Sequence, residues 1–177
     1  FELKNGSFAA SIGGLADVTA TTVLVRYTDA ATTVTAGTVL TVGSTTYTFL
    51  DGIAGATVAM EVTGFAANVA NFVSLSGNLG FKKTGAGIIA VGSDVTASLS
   101  AGGTVSVSLS NADFGLMVGD GKTAFELKNG TFAASIGGLA GVTADSVLVR
   151  YTDAATTVAA DTVLAVGSTV YTFDEAI

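Results

Sequence analysis

The side chains of this chain that could do chemistry are chiefly carboxylates, because the sequence has no histidine and no cysteine. Several aspartates lie beside turn-forming residues, and oxygen ligands gathered at turns are what Ca²⁺ prefers. Asp29 and Asp153 occupy equivalent places in two identical RYTDAATTV segments. They are therefore predicted as candidate calcium ligands. The alternative interpretation is that each aspartate caps a turn or pairs with Arg26 or Arg150.

Other aspartates do not recur at equivalent positions. Asp17 is matched by Gly141, and Asp161 is matched by Gly37. Neither position can therefore supply a carboxylate to every copy of a repeated site. The sequence contains neither a GGxGxDxUx nonapeptide nor an EF-hand loop. Apart from calcium as a candidate, no cofactor is predicted.

The same residue types bear on catalysis. Without histidine or cysteine, the usual zinc sites, cysteine nucleophiles and Ser-His-Asp triads cannot be built. Ser-Lys and two-carboxylate mechanisms stay open. Two glycine-rich segments, 85–90 and 121–123, share letters with nucleotide-binding motifs, but strand-like patterns follow both, and a phosphate site needs a helix N-terminus there. We therefore predict that the protein is not an enzyme.

A tandem repeat organises these residues. Residues 1–53 return as residues 125–177, an offset of 124, with 42 of 53 positions identical. The chain is thus predicted to hold one full period, 1–124, and the start of a second, 125–177. The period approaches the size of a domain, so it fits either a string of β domains or a continuous rod. No polar or proline-containing linker separates the copies, which favours a continuous or abutting array.

Alternation of apolar and polar residues dominates the chain. In TVLVRYT, for example, Val23, Val25 and Tyr27 fall on one face. This pattern predicts an all-β fold, an elongated tandem-repeat array of β-hairpins and meanders in the form of a β-rod, solenoid or abutting domains. At most one short helix per period is expected, in GFAANVANF at 64–72. Chain reversals are predicted at Asn5-Gly6, Gly43-Ser44, Gly102-Gly103, Asp120-Gly121, Asn129-Gly130 and Gly167-Ser168.

Composition bounds the partners. The net charge of −7 argues against nucleic acid, whose phosphates require basic patches. The longest uncharged runs are interrupted by threonine, serine, asparagine and glycine, so no transmembrane segment is expected. With 12% charged residues and no proline, strand edges would be adhesive towards other strands. The predicted partner is therefore the protein itself, as neighbouring repeats or as a homopolymer.

Three segments resemble the repeats of very large secreted or cell-surface bacterial proteins, loosely described as adhesin-like, haemagglutinin-like or RTX-related. They are SLSNADFGLMVGDGKTAFELKNG, VSLSGNLGFKKTG and VGSDVTASLSAGG. In addition, TAGTVLTVGSTTYTF is similar to β-hairpin inserts of filament and phage-fibre proteins. The resemblance implies an extracellular or cell-surface location, with the periplasm as an alternative, and a structural or adhesive role. The missing nonapeptide departs from the RTX pattern.

These observations lead to one expected function and two alternatives. The expected function is a structural protein that associates with itself through β-strands into a fibre, tubule or surface layer. The first alternative is the stalk or binding module of a giant bacterial adhesin, whose partners would be cell-surface glycans or another cell. The second is a carbohydrate-active β domain that uses paired carboxylates.

Overall fold

The computed structural model describes residues 1–12, 16–70, 72–119, 121–153 and 156–177; for Ile12 it describes the backbone alone. Most of the described residues belong to β-strands. Eight long strands form one antiparallel sheet, and four short strands form two separate hairpins. The all-β prediction is confirmed. The long strands are β1 Glu2–Ile12, β2 Ala16–Tyr27, β5 Val58–Val69, β6 Val73–Thr84, β7 Gly87–Ala101, β8 Val105–Gly119, β9 Lys122–Ile136 and β10 Ala140–Thr152; the hairpins are β3 Val39–Val42 with β4 Thr45–Thr48, and β11 Thr162–Val166 with β12 Thr169–Phe173.

The large sheet follows the chain as a meander, in the order β1-β2-β5-β6-β7-β8-β9-β10. Strands β9 and β10 are the second copies of β1 and β2, and the hairpin β11–β12 is the second copy of β3–β4. The boundary between the copies, at Phe125, lies inside β9 rather than in a linker. Within the described residues, both copies therefore contribute to one sheet.

Glycine at positive φ produces the tight reversals that the sequence predicts. Gly43 and Gly167 both have φ of 60° and open the two-residue turns of the short hairpins, and Gly102 and Gly103 connect β7 to β8. These turns are confirmed. In the turn between β8 and β9, Gly121 has φ of 72°, whereas the predicted turn residue Asp120 lies outside the described residues.

The reversals predicted at Asn5-Gly6 and Asn129-Gly130 are wrong. Asn5 and Asn129 do have positive φ, 60° and 65°, but they lie within the continuous strands β1 and β9. The register shifts beside Gly6 and Gly130, so each pair forms a β-bulge. Asn129 is held there because its side-chain amide donates to a carboxylate oxygen of Asp113 at 2.8 Å.

The short helix that the sequence allows at 64–72 does not form, since Phe65 and Val69 belong to β5. Gly64, at φ of 61°, forms a bulge there, and the register with β6 shifts between Val62 and Phe65. Phe65 and Val69 are four residues apart, a spacing that places them on one face of a strand as well as of a helix. Phe72, the third member of the pattern, lies in the connection between β5 and β6.

The hydrophobic core lies between the hairpin β11–β12 and one end of the sheet face formed by β5 to β8. Glycines in the sheet make room for the hairpin. A Cβ atom on Gly80 would lie 2.6 Å from Cβ of Val166, and one on Gly115 would collide with the ring of Tyr171. The core members that are buried are Val91, Ala124, Val158, Leu164, Val166, Tyr171 and Phe173.

No helix among the residues that the structure describes is long and apolar enough to cross a membrane.

We predict that Gly80→Ala and Gly115→Ala each lower the free energy of unfolding by about 1–3 kcal/mol, because an added methyl group overpacks the contact with the hairpin. Urea denaturation followed by circular dichroism measures this. The matched control is Gly85→Ala, because a Cβ there meets no atom within 4 Å, and it should change stability by less than about 0.5 kcal/mol. Equal effects of all three substitutions would contradict this packing.

Candidate functional site: a repeated carboxylate anchor

A buried glutamate connects the second hairpin to the sheet. Glu126 lies in β9 and is fully buried. Arg150, across from it on β10, donates from Nε to Oε2 at 2.5 Å. The hydroxyl of Tyr171, on β12, donates to Oε1 at 2.6 Å. We call these three residues the second anchor.

The same arrangement occurs in the first copy. Glu2, on β1, accepts from Arg26 Nε at 2.5 Å and from the Tyr47 hydroxyl at 2.8 Å. We call Glu2, Arg26 and Tyr47 the first anchor. A carboxylate can be buried only when charged or polar donors replace its water, and each anchor supplies an arginine and a phenol. Among the described residues, no buried side-chain nitrogen or oxygen lacks a hydrogen-bond partner.

Each anchor arginine also binds a second, exposed carboxylate after the hairpin. Arg26 reaches Asp51 at 2.7 Å, and Arg150 reaches Glu175 at 2.8 Å. These two acids occupy equivalent positions, so the copies differ in side-chain length but keep the charge. Side-chain hydrogen bonds, first with Glu126 and then with Glu175, raise the pKa of Arg150.

A lysine two residues after each anchor glutamate contacts the hairpin as well. Lys4 Nζ lies 4.6 Å from the ring centroid of Tyr47 and donates to the carbonyl of Thr48 at 2.5 Å. Lys128 does the same over Tyr171, at 5.0 Å, and it also pairs with Asp174 at 2.6 Å. A cation over an aromatic face is attracted by the ring quadrupole, so these lysines add to the attachment of the hairpin.

The anchor tyrosines titrate far from their usual range. Burial, followed by the hydrogen bond to Glu2, raises the pKa of Tyr47 to about 12. The same causes, with Glu126 as the acceptor, raise the pKa of the more deeply buried Tyr171 further. Each tyrosine is therefore held as a neutral donor, because its phenolate would face the carboxylate of the same anchor.

The candidate calcium ligands lie elsewhere, in the turns that follow β2 and β10. Asp29 accepts from the backbone N–H of Ala31 at 3.1 Å, and a side-chain hydrogen bond from Thr32 lowers its pKa. Asp153 accepts from the Thr156 hydroxyl at 2.5 Å and from the backbone N–H of Thr123. Both aspartates thus make the turn-capping contacts of the alternative interpretation.

The structure does not bring the two candidates together, because five strands separate β2 from β10 in the sheet. The arginines that were expected to pair with Asp29 and Asp153 bind the anchor glutamates instead. In the part of the chain that is described, no three acidic residues form a group able to hold a metal ion. Calcium binding at Asp29 or Asp153 stays a prediction.

Comparisons of the chain with protein-family models, curated proteins and solved structures give no match. The anchors must therefore be interpreted from their geometry. Each anchor carboxylate is enclosed and its two oxygens are occupied by donors of the same chain, so its chemistry is attachment of a hairpin to the sheet. The sequence pattern selected neither the anchor glutamates nor the anchor tyrosines, and it paired Arg26 and Arg150 with other carboxylates, although all six residues are unchanged between the copies.

We predict that Tyr171→Phe lowers the free energy of unfolding by about 1–3 kcal/mol, the usual cost of a buried acceptor that loses its donor. Tyr47→Phe, its matched counterpart, should cost less, because Tyr47 is only half-buried and water can replace the lost hydroxyl. Urea denaturation of both variants makes the comparison. A larger loss for Tyr47→Phe would contradict the structure.

Stability should also fall in alkali. Because the folded-state pKa of the anchor tyrosines is raised above 10, their contribution is complete below pH 10 and is lost as the pH rises through about 12 for Tyr47. The urea midpoint of the protein should therefore drop between pH 9 and pH 11.5 by more than that of the double variant Tyr47→Phe, Tyr171→Phe. The two proteins differ only in these two hydroxyl groups, so equal drops would refute the assignment.

Proposed function

We propose that the protein is a non-enzymatic structural protein whose repeats share one antiparallel sheet and build a fibre, tubule or surface layer outside the cytoplasm. The observation that carries the proposal is the pairing of β8 with β9. At one end of the two strands Val105 pairs with Ile136, and at the other end Gly119 pairs with Lys122. The two strands connect the single-copy part of the period to the start of the next copy. The sheet thus continues across the repeat boundary without a linker.

The two edges of the sheet support further extension. Among the described strands, β1 is paired only with β2, whereas its copy β9 is paired on both sides. Within the same part of the chain, β10 is paired only with β9, whereas its counterpart β2 is paired with both β1 and β5. Each open edge therefore has a known type of neighbour, β8 at one end and β5 at the other. An open strand edge is a template for another strand.

Growth in this manner has a defined geometry. One period contributes six long strands to the sheet, β1, β2 and β5 to β8. At a strand spacing of about 4.8 Å, each period would lengthen the sheet by roughly 29 Å. No new type of contact is required at either end, which is what a repetitive structural assembly needs.

The remaining parts of the proposal rest on the chemistry of the side chains and on the resemblance. The buried carboxylates among the described residues, those of Glu2, Glu61 and Glu126, are engaged in holding the hairpins, which supports a non-enzymatic role. Serines lie side by side on neighbouring strands of the sheet: Ser74 on β6 pairs with Ser98 on β7, and their hydroxyl oxygens lie 2.6 Å apart. The location outside the cytoplasm rests on the resemblance to secreted and cell-surface repeats.

Electron microscopy of the purified protein tests the proposal, and ordered filaments or lattices are expected. A variant with Val142→Lys and Leu148→Lys on the edge strand β10 should give short or dispersed particles, because lysines on an edge oppose strand addition. Val163→Lys, on the hairpin and equally more than half exposed, is the matched control and should assemble normally. Isolated monomers of the unmodified protein would refute the proposal.

A further inference from the structure

The two hairpins have the same core residues, but the apolar residues of their first strands differ greatly in burial, whereas Phe49 is buried like its counterpart Phe173. Leu164 and Val166 are 3% and 2% exposed, whereas their counterparts Leu40 and Val42 are 54% and 82% exposed. Sequence cannot explain the difference, because every residue that the second copy gives to the core is repeated in the first. In the first copy, these residues are Val34, Leu40, Val42, Tyr47, Phe49 and Ile53.

The difference follows from what lies beneath each hairpin. The hairpin β11–β12 packs on β5 to β8, the strands that precede its own copy in the sheet. The hairpin β3–β4 is attached by the first anchor to β1, and β1 is the edge of the sheet. Of the described strands, none occupies the place beyond β1 that β5 to β8 occupy beyond β9.

The turn of the second hairpin provides a specific part of this contact. Glu61, on β5, is buried, and its Oε1 accepts four hydrogen bonds from the turn. The backbone N–H groups of Ser168 and Thr169 donate at 2.8 and 2.9 Å, and their hydroxyls donate at 2.6 and 3.0 Å. A Cβ atom on Gly167 would collide with the same carboxylate. The turn is thus a receptor for one carboxylate.

The first hairpin has the same receptor. Gly43, Ser44 and Thr45 repeat Gly167, Ser168 and Thr169, and Gly43 has the same φ of 60° as Gly167. A Cβ atom on Gly43 would meet no atom within 4 Å, so the space that Glu61 fills at the second turn is open at the first. An apolar surface and a carboxylate receptor therefore lie side by side on β3–β4.

We infer that this surface binds the β5–β8 block, residues 58–119, of a further repeat that precedes Phe1 in the same polypeptide; the inference rests on the proposed array. The block would place a copy of Glu61 in the turn at Gly43 and a copy of Gly80 beneath Val42. Its β8 would pair with the open edge of β1. All of these contacts exist once already in this chain, where the block pairs with β9 and packs against β11–β12.

Hydrogen–deuterium exchange on an extended chain tests the inference. Residues 54–124 are joined directly ahead of Phe1, so that the junction repeats the native sequence from Thr123 to Glu126. In the unextended protein, amides of 39–48 should exchange faster than those of 162–173. In the extended chain, exchange at 39–48 should slow by about tenfold or more, because burial restricts local opening. Residues 162–173 should keep their rate.

Paired variants of the extended chain identify the contact. Glu61→Ala in the added block should restore fast exchange at 39–48 and leave 162–173 slow. Glu61→Ala in the original block, residues 58–119 of the unextended chain, should make exchange at 162–173 fast and leave exchange at 39–48 slow. If the added block leaves exchange at 39–48 fast while 162–173 stay slow, the inference is wrong.

An extended chain that no longer folds also overturns the inference, because the block is required to fit without rearrangement. Exchange is measured on dispersed protein, so its outcome is independent of whether filaments form. Slow exchange at 39–48 without filaments would retain the inference and refute the proposed assembly, and filaments with fast exchange would do the reverse.

Discussion

The structure depends on a carboxylate that has been removed from water. Glu126 is fully enclosed, and it can be held there only because Arg150 and Tyr171 supply the hydrogen bonds that water would otherwise give. These three residues come from β9, β10 and β12, so satisfying one side chain fixes a hairpin over the sheet. Once the hairpin is fixed, Val166 and Tyr171 lie over the glycines of β6 and β8, and the core closes. The apolar contacts bury surface between the hairpin and the sheet, whereas the buried charge of Glu126 fixes the orientation of the hairpin.

A second buried carboxylate binds the turn of the same hairpin. Glu61 is bound by the turn at Ser168 and Thr169, whereas Glu126 is bound at Tyr171. The two glutamates differ in origin, because Glu126 belongs to the repeated segment and Glu61 to the segment present once. The hairpin therefore has one attachment within its own copy and one to the preceding block. The first hairpin has the attachment within its own copy, at Glu2, but it lacks the attachment to a preceding block. It is therefore held against β1 while Leu40 and Val42 remain exposed.

Most of the strands and the glycine turns could be predicted from the sequence, because alternation and positive-φ residues are local signals. The errors at Asn5-Gly6 and Asn129-Gly130 share one physical cause. A bulge uses the same residues as a reversal, and only the partner strand decides between them. The anchors were missed for a different reason. Glu2 and Lys4 carry no local signal of burial in the sequence, and Arg26 was expected to pair with Asp29. The burial of all three depends on the hairpin at 39–48, which is distant in the sequence. Their identity in both copies of a sparsely charged chain was the available signal.

The repeat period in the sequence and the unit that packs around one hydrophobic core begin at different residues. Counted from Phe1, one period is 1–124, yet the closed core of this chain combines the block that begins at β5 with the hairpin that ends at β12. Of the seven buried members of that core, Val91 and Ala124 are single-copy residues, and the other five, such as Val166, are repeated residues. A substitution on either side must be matched by the other, across a sequence separation of more than seventy residues. This coupling explains why the differences between the copies avoid the core positions and fall at residues such as Thr41 and Thr46. In the proposed array, each hairpin after the first would be covered by the block before it, so the closed core would recur once per period.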